Sequence, residues 1–143
     1  MGNKSYYVFD VDGFFRDYQK NKRLLRDLEW ELAQAITLKG TDYAKPKVAG
    51  GLPSSPVEET VEKISVLRAK ITDLSDFFAT ADKYLNALTK RERKLAESYF
   101  VKGKKSRLGV AEVADELGIS IASAYRMIRV IRIKIRQKEI EGA

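Results

Sequence analysis

Four arginines near the end of the chain, Arg126, Arg129, Arg132 and Arg136, recur at spacings of three and four residues. On a helix turning about 100° per residue, such spacing gathers side chains on one side. Guanidinium groups gathered in this way can bond bidentately to guanine O6 and N7, or to phosphate. Ala124, Ile128, Ile131 and Ile135 fall on the other side of the same stretch. The expectation is therefore a helix with an isoleucine face toward a core. The opposite face carries Ala122, Tyr125, Arg129, Arg132 and Arg136, with Arg126 at its edge. Solvated arginines on an ordinary surface helix are the plainer account of the same pattern.

The rest of the composition narrows the chemistry. The chain of 143 residues holds no cysteine and no histidine, which removes disulfides, thiolate zinc sites, thiol nucleophiles and the commonest general base. No catalytic residue, metal site or cofactor is expected. No apolar run approaches the ~20 residues of a membrane helix, and no basic segment followed by a hydrophobic stretch opens the chain. A soluble cytoplasmic protein is the expectation. The net charge is +7, and its placement matters more than its size. Residues 1–89 carry 13 basic and 13 acidic residues, whereas residues 90–143 carry 14 basic against 7 acidic. A neutral arm joined to a basic module suits a chain in which one part meets a polyanion and the other does something else.

The elements that must position the arginines read as follows. Leu25, Leu28, Leu32 and Ile36 predict a helix over 14–38. Residues 40–56 hold all three prolines and read as a loop. Val57, Val61, Ile64, Leu67, Ile71, Leu74, Phe78, Ala81 and Leu85 form a second, longer stripe. Together these predict an all-α chain whose region 1–88 is an antiparallel, coiled-coil-like helical hairpin. The stripe also suits an oligomerisation seam or an ordinary core helix. A module at 89–143 opens on Thr89-Lys90-Arg91-Glu92, whose Thr and Glu are spaced for a capping box, and a helix through Phe100 follows.

Val110 to Leu117 predicts a short helix that stops at Gly118-Ile119-Ser120, and a second helix runs from Ile121 to about Glu139. Ala114 is small where two helices would touch. Gly118 can take the positive φ of a tight turn, and Ser120 can cap the second helix. This is the pattern of a helix-turn-helix, whose second helix lies in the major groove. Ser120, Ile121, Ala122, Ser123, Tyr125, Arg126 and Arg129 are the candidates to meet base edges. Lys102, Lys104, Lys105, Arg107, Arg132 and Arg136 are the candidates for phosphate.

The run from Leu88 to Ile135 resembles sigma-factor region 4. There an LTxRER sequence (here Leu88-Thr89-Lys90-Arg91-Glu92-Arg93) begins the first helix, and a VAxxLGxSxxxxYR pattern forms the helix-turn-helix. With its helical hairpin and Pro/Gly/Ser-rich loop, the whole chain resembles the ArpU/RinA-like late transcriptional regulators of phages of Gram-positive bacteria. That resemblance implies a sequence-specific activator binding double-stranded DNA upstream of late, packaging-related genes. It departs from the sigma pattern at Ile121 and Ala122. No counterpart of sigma region 2 is present, so a complete sigma factor is not expected.

Three rivals remain. Val8-Phe9-Asp10-Val11-Asp12-Gly13 resembles the DxDG nucleophile motif of haloacid-dehalogenase-like phosphatases, in which one Asp attacks phosphorus and the other serves as acid and base. No βαβ pattern follows it, and a helix cap at Asp10 or Asp12 is the duller account. Tyr6, Tyr7, Phe9, Phe14 and Phe15 would then pack on the hairpin or on another subunit. A small terminase subunit, binding packaging sites, shares the helix-turn-helix and the helical oligomerisation region. An interaction protein for a sigma factor or host RNA polymerase is the third. Apolar Val130 and Ile133, on the wetter side of the last helix, suggest self-association as a dimer or higher oligomer.

Overall fold

The computed structural model describes residues 8–44 and 56–142, the side chains of residues 38–44, 56 and 57 lying outside that description. Every regular element among the described residues is helical. Tyr6, Tyr7, the side chain of Val57 and residues 45–55 of the expected loop fall outside the described residues.

A short helix, α1, spans Val11–Arg16. Asp10 caps it, its carboxylate accepting the amide of Gly13 at 3.0 Å. Gly13 suits that place, because a Cβ there would collide with the Asp10 carboxylate. Asp17 breaks the helical run with φ −94 and ψ 8, and α2 follows over Tyr18–Ala44. The helix expected over 14–38 is thus two helices, and it continues through Gly40, which sequence reading assigned to the loop. α3 spans Pro56–Asn86, close to the second stripe. α4, Lys90–Ala96, runs on into a π-helical turn over Glu97–Val101. α5 spans Arg107–Leu117 and α6 spans Ile121–Gly142.

The described chain divides into two compact units, one of residues 8–19 and 79–142, the other of residues 20–78. The first takes in the basic module from residue 89 onward together with α1 and the last turns of α3. Its core joins Val11 and Phe15 of α1 to Ala81, Tyr84 and Leu85 of α3, and both to Leu95 and Phe100, Val110 and Val113, and Ile128, Ile131 and Ile135. Phe15 is 1% exposed; burying one side chain of this size is worth about 1.5–3 kcal/mol. Phe9, Phe14 and Phe15 of the N-terminal segment pack inside this unit. Phe9 and Phe14 stack on Tyr84 with centroids 5.4 and 5.2 Å apart, and Phe15 lies 6.1 Å from Phe100. Offset and edge-on contacts of this kind suit the ring quadrupole.

In the second unit, Leu28 and Ala35 of α2 and Ile64 and Leu67 of α3 are buried together, with Leu32, Ile71 and Leu74 half-buried beside them. The seam is narrower than the stripes that predict it. Ile36 and Val61 are each 45% exposed, while Ala81 and Leu85 belong to the core of the other unit. A two-helix pairing cannot enclose a broad apolar face, so the outer members of each stripe stay wet.

Candidate nucleic-acid interface

Two local devices fix the start of α4. Thr89 Oγ1 accepts the Glu92 amide at 3.2 Å, and Glu92 Oε1 accepts the Thr89 amide at 3.0 Å. This is the reciprocal capping box that the Thr and Glu spacing predicts. Glu92 also ties α4 to α6, since Lys134 Nζ donates to both of its oxygens at 2.7 and 2.8 Å. Burial pushes the Glu92 carboxyl upward, but the Lys134 ammonium and the Thr89 amide outweigh it and hold the carboxyl below its ordinary value.

The turn between α5 and α6 is closed by backbone bonds. Gly118 sits at φ 68 and ψ 32, its amide donating to Asp115 O at 3.1 Å, and Ile119 N donates to Ala114 O at 2.9 Å. That pair of bonds satisfies carbonyls left open at the end of α5 and requires the left-handed glycine. Arg91 of α4 adds a cap from outside, Nη2 donating to Leu117 O at 2.8 Å. Ala114 and Ala124 are buried, 1% and 0% exposed, so the two helices approach closely at small residues. Ser120 caps α6 by accepting the Ser123 amide at 3.0 Å.

Before α5, Gly103 takes φ 71 and Ser106 caps the helix by accepting the Gly109 amide at 3.1 Å. The helix expected from Val110 therefore begins at Arg107. Gly109 is buried under the preceding loop, where a Cβ would lie 3.0 Å from the Lys104 carbonyl oxygen. Ser106 and Gly109 were not singled out from sequence, although a Ser three residues ahead of a buried position is a local capping signal.

The candidate side chains separate into two groups. Ser120, Ala122, Tyr125, Arg126 and Arg129 are exposed on the first turns of α6, with Ile121 and Ser123 half-buried among them. Lys102, Lys104 and Arg107 are exposed at the loop and first turn of α5. Lys105, Arg132 and Arg136 are instead engaged by the N-terminal segment. Arg132 grips Asp12 with both ends of its fork, Nε to Oδ1 at 2.9 Å and Nη2 to Oδ2 at 3.0 Å. Lys105 Nζ reaches the same carboxylate at 2.8 Å. Both cations also lie over the Tyr99 and Phe100 rings, at 5.3–5.7 Å from the centroids. Arg136 Nε donates to Phe9 O at 3.1 Å.

The expectation of a single arginine face opposite the core is corrected accordingly. At about 100° per residue, Arg132 lies on the flank of the isoleucine face rather than across from it, and Arg126 is the more nearly opposite. Flanking positions meet α1, and the solvent-facing positions do not. Hydrogen bonding from Arg132 is the largest influence on Asp12, and with Lys105 it outweighs burial and holds the carboxyl far below the usual carboxylate range. The same pairing raises Arg132 further.

Asp10 and Asp12 thus serve as a helix cap and an ion-pair hub. The segment that a phosphatase motif would place at the end of a strand leads directly into α1. Among the described residues, no group of acidic side chains is arranged to hold a metal ion, and no helix is long and apolar enough to cross a membrane. No protein-family model matches the chain, and no curated protein or solved structure is significantly similar to it.

Proposed function

We propose that the chain is a sequence-specific regulator of transcription that binds double-stranded DNA through α5 and α6, acting as a helix-turn-helix of the sigma region 4 kind. The observation that carries this reading is the exposed set Ser120, Ala122, Tyr125, Arg126 and Arg129 on the first turns of α6. A closed turn and two buried alanines hold those turns rigidly against α5. Rigid support of this kind is what a base-reading helix needs. Lys102, Lys104 and Arg107 flank it as phosphate contacts, and the charge excess of residues 90–143 supplies the attraction to a polyanion.

In this reading, residues 20–78 form an antiparallel hairpin. Leu24 and Leu28 of α2 share a groove with Lys70, Asp73 and Leu74 of α3, the register expected when two helices run in opposite directions. The biological setting we propose is activation of late phage or prophage genes, in a bacterial cytoplasm. Val130 and Ile133, 43% and 55% exposed on α6, support a protein partner as well, a second copy of the chain or host RNA polymerase.

Selection of bound duplexes from a random pool, followed by mapping of bound sites and a transcription assay, tests the proposal. Recovery of a defined sequence at promoters supports it. Enrichment at packaging sites without a transcriptional effect replaces it with a terminase-like role, and failure to retain any duplex removes DNA binding altogether.

A further inference from the structure

Arg126 does not extend freely from α6. Its Nη2 donates to Ser123 Oγ at 3.1 Å. Ser123 Oγ also accepts from Ser120 Oγ at 2.9 Å, and Ser120 Oγ accepts the Ser123 amide at 3.0 Å. The cap of the helix and the arginine are therefore parts of one hydrogen-bonded chain. Long helical side chains lean toward the N-terminus, and this bond holds the guanidinium over the first turn, on which Ala122 is exposed. No methylene at Ala122 obstructs an approaching surface there. Arg129, one turn later and also exposed, has no hydrogen-bond or ion-pair partner among the described residues.

That difference bears on what each arginine can do. A guanidinium held in one orientation loses less rotamer freedom on binding, and a fork already set in plane favours the bidentate match to O6 and N7 of guanine over single contacts to other acceptors. A freely moving arginine serves a phosphate as well as a base. Only one edge of the Arg126 fork is used by Ser123, so its other donors stay available to a ligand.

Resting on the DNA-binding reading above, we infer that Ser123 is a positioning residue for Arg126: it fixes the guanidinium so that this part of the site selects guanine, and base preference there belongs to the pair. Residue types alone make Ser123 and Arg126 two separate contacts. The bond between them makes one depend on the other.

The test uses the full chain and a duplex selected by it from a random pool. Wild type, Ser123→Ala, Ser123→Thr, Arg126→Ala and the Ser123→Ala/Arg126→Ala double variant are titrated against that duplex. They are also titrated against versions with adenine or 7-deazaguanine at the guanine whose preference Arg126→Ala relaxes, and against an unrelated duplex. Ser123→Ala is expected to lower the preference for guanine about three- to tenfold, the worth of one hydrogen bond of ordinary strength. Its affinity for the unrelated duplex should stay within about twofold, because phosphate contacts are untouched. Ser123→Thr should restore the preference, and the double variant should discriminate no worse than Arg126→Ala. An undiminished preference in Ser123→Ala overturns the inference, as does equal loss on selected and unrelated duplexes, or an Arg126→Ala variant that relaxes no position. If no sequence is enriched even by wild type, the sequence-specific reading itself fails, and the inference with it. Should Ser123→Ala not fold, nitrogen NMR of the guanidinium groups in the free wild-type chain decides: rotation of Arg126 should be slower than that of Arg129, and equal rotation overturns the inference.

Discussion

Replacing Asp12 by asparagine removes one charge and leaves nearly the same shape, so it isolates what the carboxylate does. Asp12 accepts two bonds from Arg132 and one from Lys105, and its side chain is 26% exposed. Bonds to a charged group contribute about 1.5–3 kcal/mol each when buried, and solvent screening at a partly exposed site cuts this well down. The side-chain amide of the variant would also set its own donor against one of two cations. A loss of about 2 kcal/mol is the expected result, which for a unit of this size lowers the melting temperature by about 8–16 °C. The pH dependence gives a sharper reading. Because Arg132 and Lys105 depress the folded-state pKa of Asp12, its contribution is complete above the unfolded value of about 4. It fades as the pH falls below that value, toward the much lower folded pKa. The gap between wild type and Asp12→Asn should therefore be constant from about pH 6 to 8 and narrow between about pH 5 and 2. Glu92, whose pKa is also lowered, is common to both proteins and cancels in the difference. Urea melts across this range measure it. A gap under about 0.5 kcal/mol at pH 7, or one that does not change down to pH 3, would refute the view that Asp12 acts as a charged hub.

Three other outcomes follow from the same geometry. On the proposed DNA-binding reading, Lys104→Ala should weaken binding to every duplex alike and reduce the log–log salt slope by about 0.9, whereas Lys105→Ala, whose ammonium is held by Asp12, should change the slope less; fluorescence anisotropy at several salt concentrations checks both. Gly118→Ala should cost about 1–2 kcal/mol by urea unfolding, because φ 68 is strained for a side-chain-bearing residue; an unchanged midpoint would show that the turn relaxes freely. Ile133→Glu, which alters an exposed position rather than a buried one, should lower the oligomer mass in light scattering and with it the affinity for a two-half-site duplex; a wild-type monomer that binds a single half-site fully would end the case for self-association.

The features legible from sequence are the ones that neighbouring residues decide. Thr89 and Glu92 are three apart, Gly118 must take a positive φ within its own turn, and Ser120 caps the helix it precedes. In each case the partners lie within one turn of helix, so spacing suffices to identify them. The stripes of α2 and α3 were legible for the same reason, but not their width, because a stripe does not state how many helices will cover it. Arg132 illustrates the other kind of residue. Its partner Asp12 lies 120 positions away, and nothing in the local pattern distinguishes an arginine bound for a phosphate from one bound for an aspartate. Lys134 with Glu92, and Arg136 with Phe9, escaped notice on the same grounds. The break at Asp17 is harder to read as well, since a lone Asp between helical stretches is a weak turn signal and Tyr18 and Gln19 carry none.

The discontinuous make-up of the first unit has a consequence for synthesis. Asp12 leaves the ribosome 120 residues before the Arg132 it pairs with, and Val11 and Phe15 likewise precede by more than a hundred residues the α6 isoleucines they pack against. Translation proceeds at about 5–20 residues per second, so α1 must stay without those partners for several seconds while its apolar side remains wet. The cluster of Leu28, Ala35, Ile64 and Leu67, by contrast, lies wholly within the second unit and can form as soon as α3 has emerged. Its early closure shortens the effective loop across which α1 must later be captured, reducing the entropy lost when it docks. The long helical insertion then serves the nascent chain as a tether. Any change that loosens it should appear first as slower, aggregation-prone maturation of the basic unit, before any loss in the finished molecule.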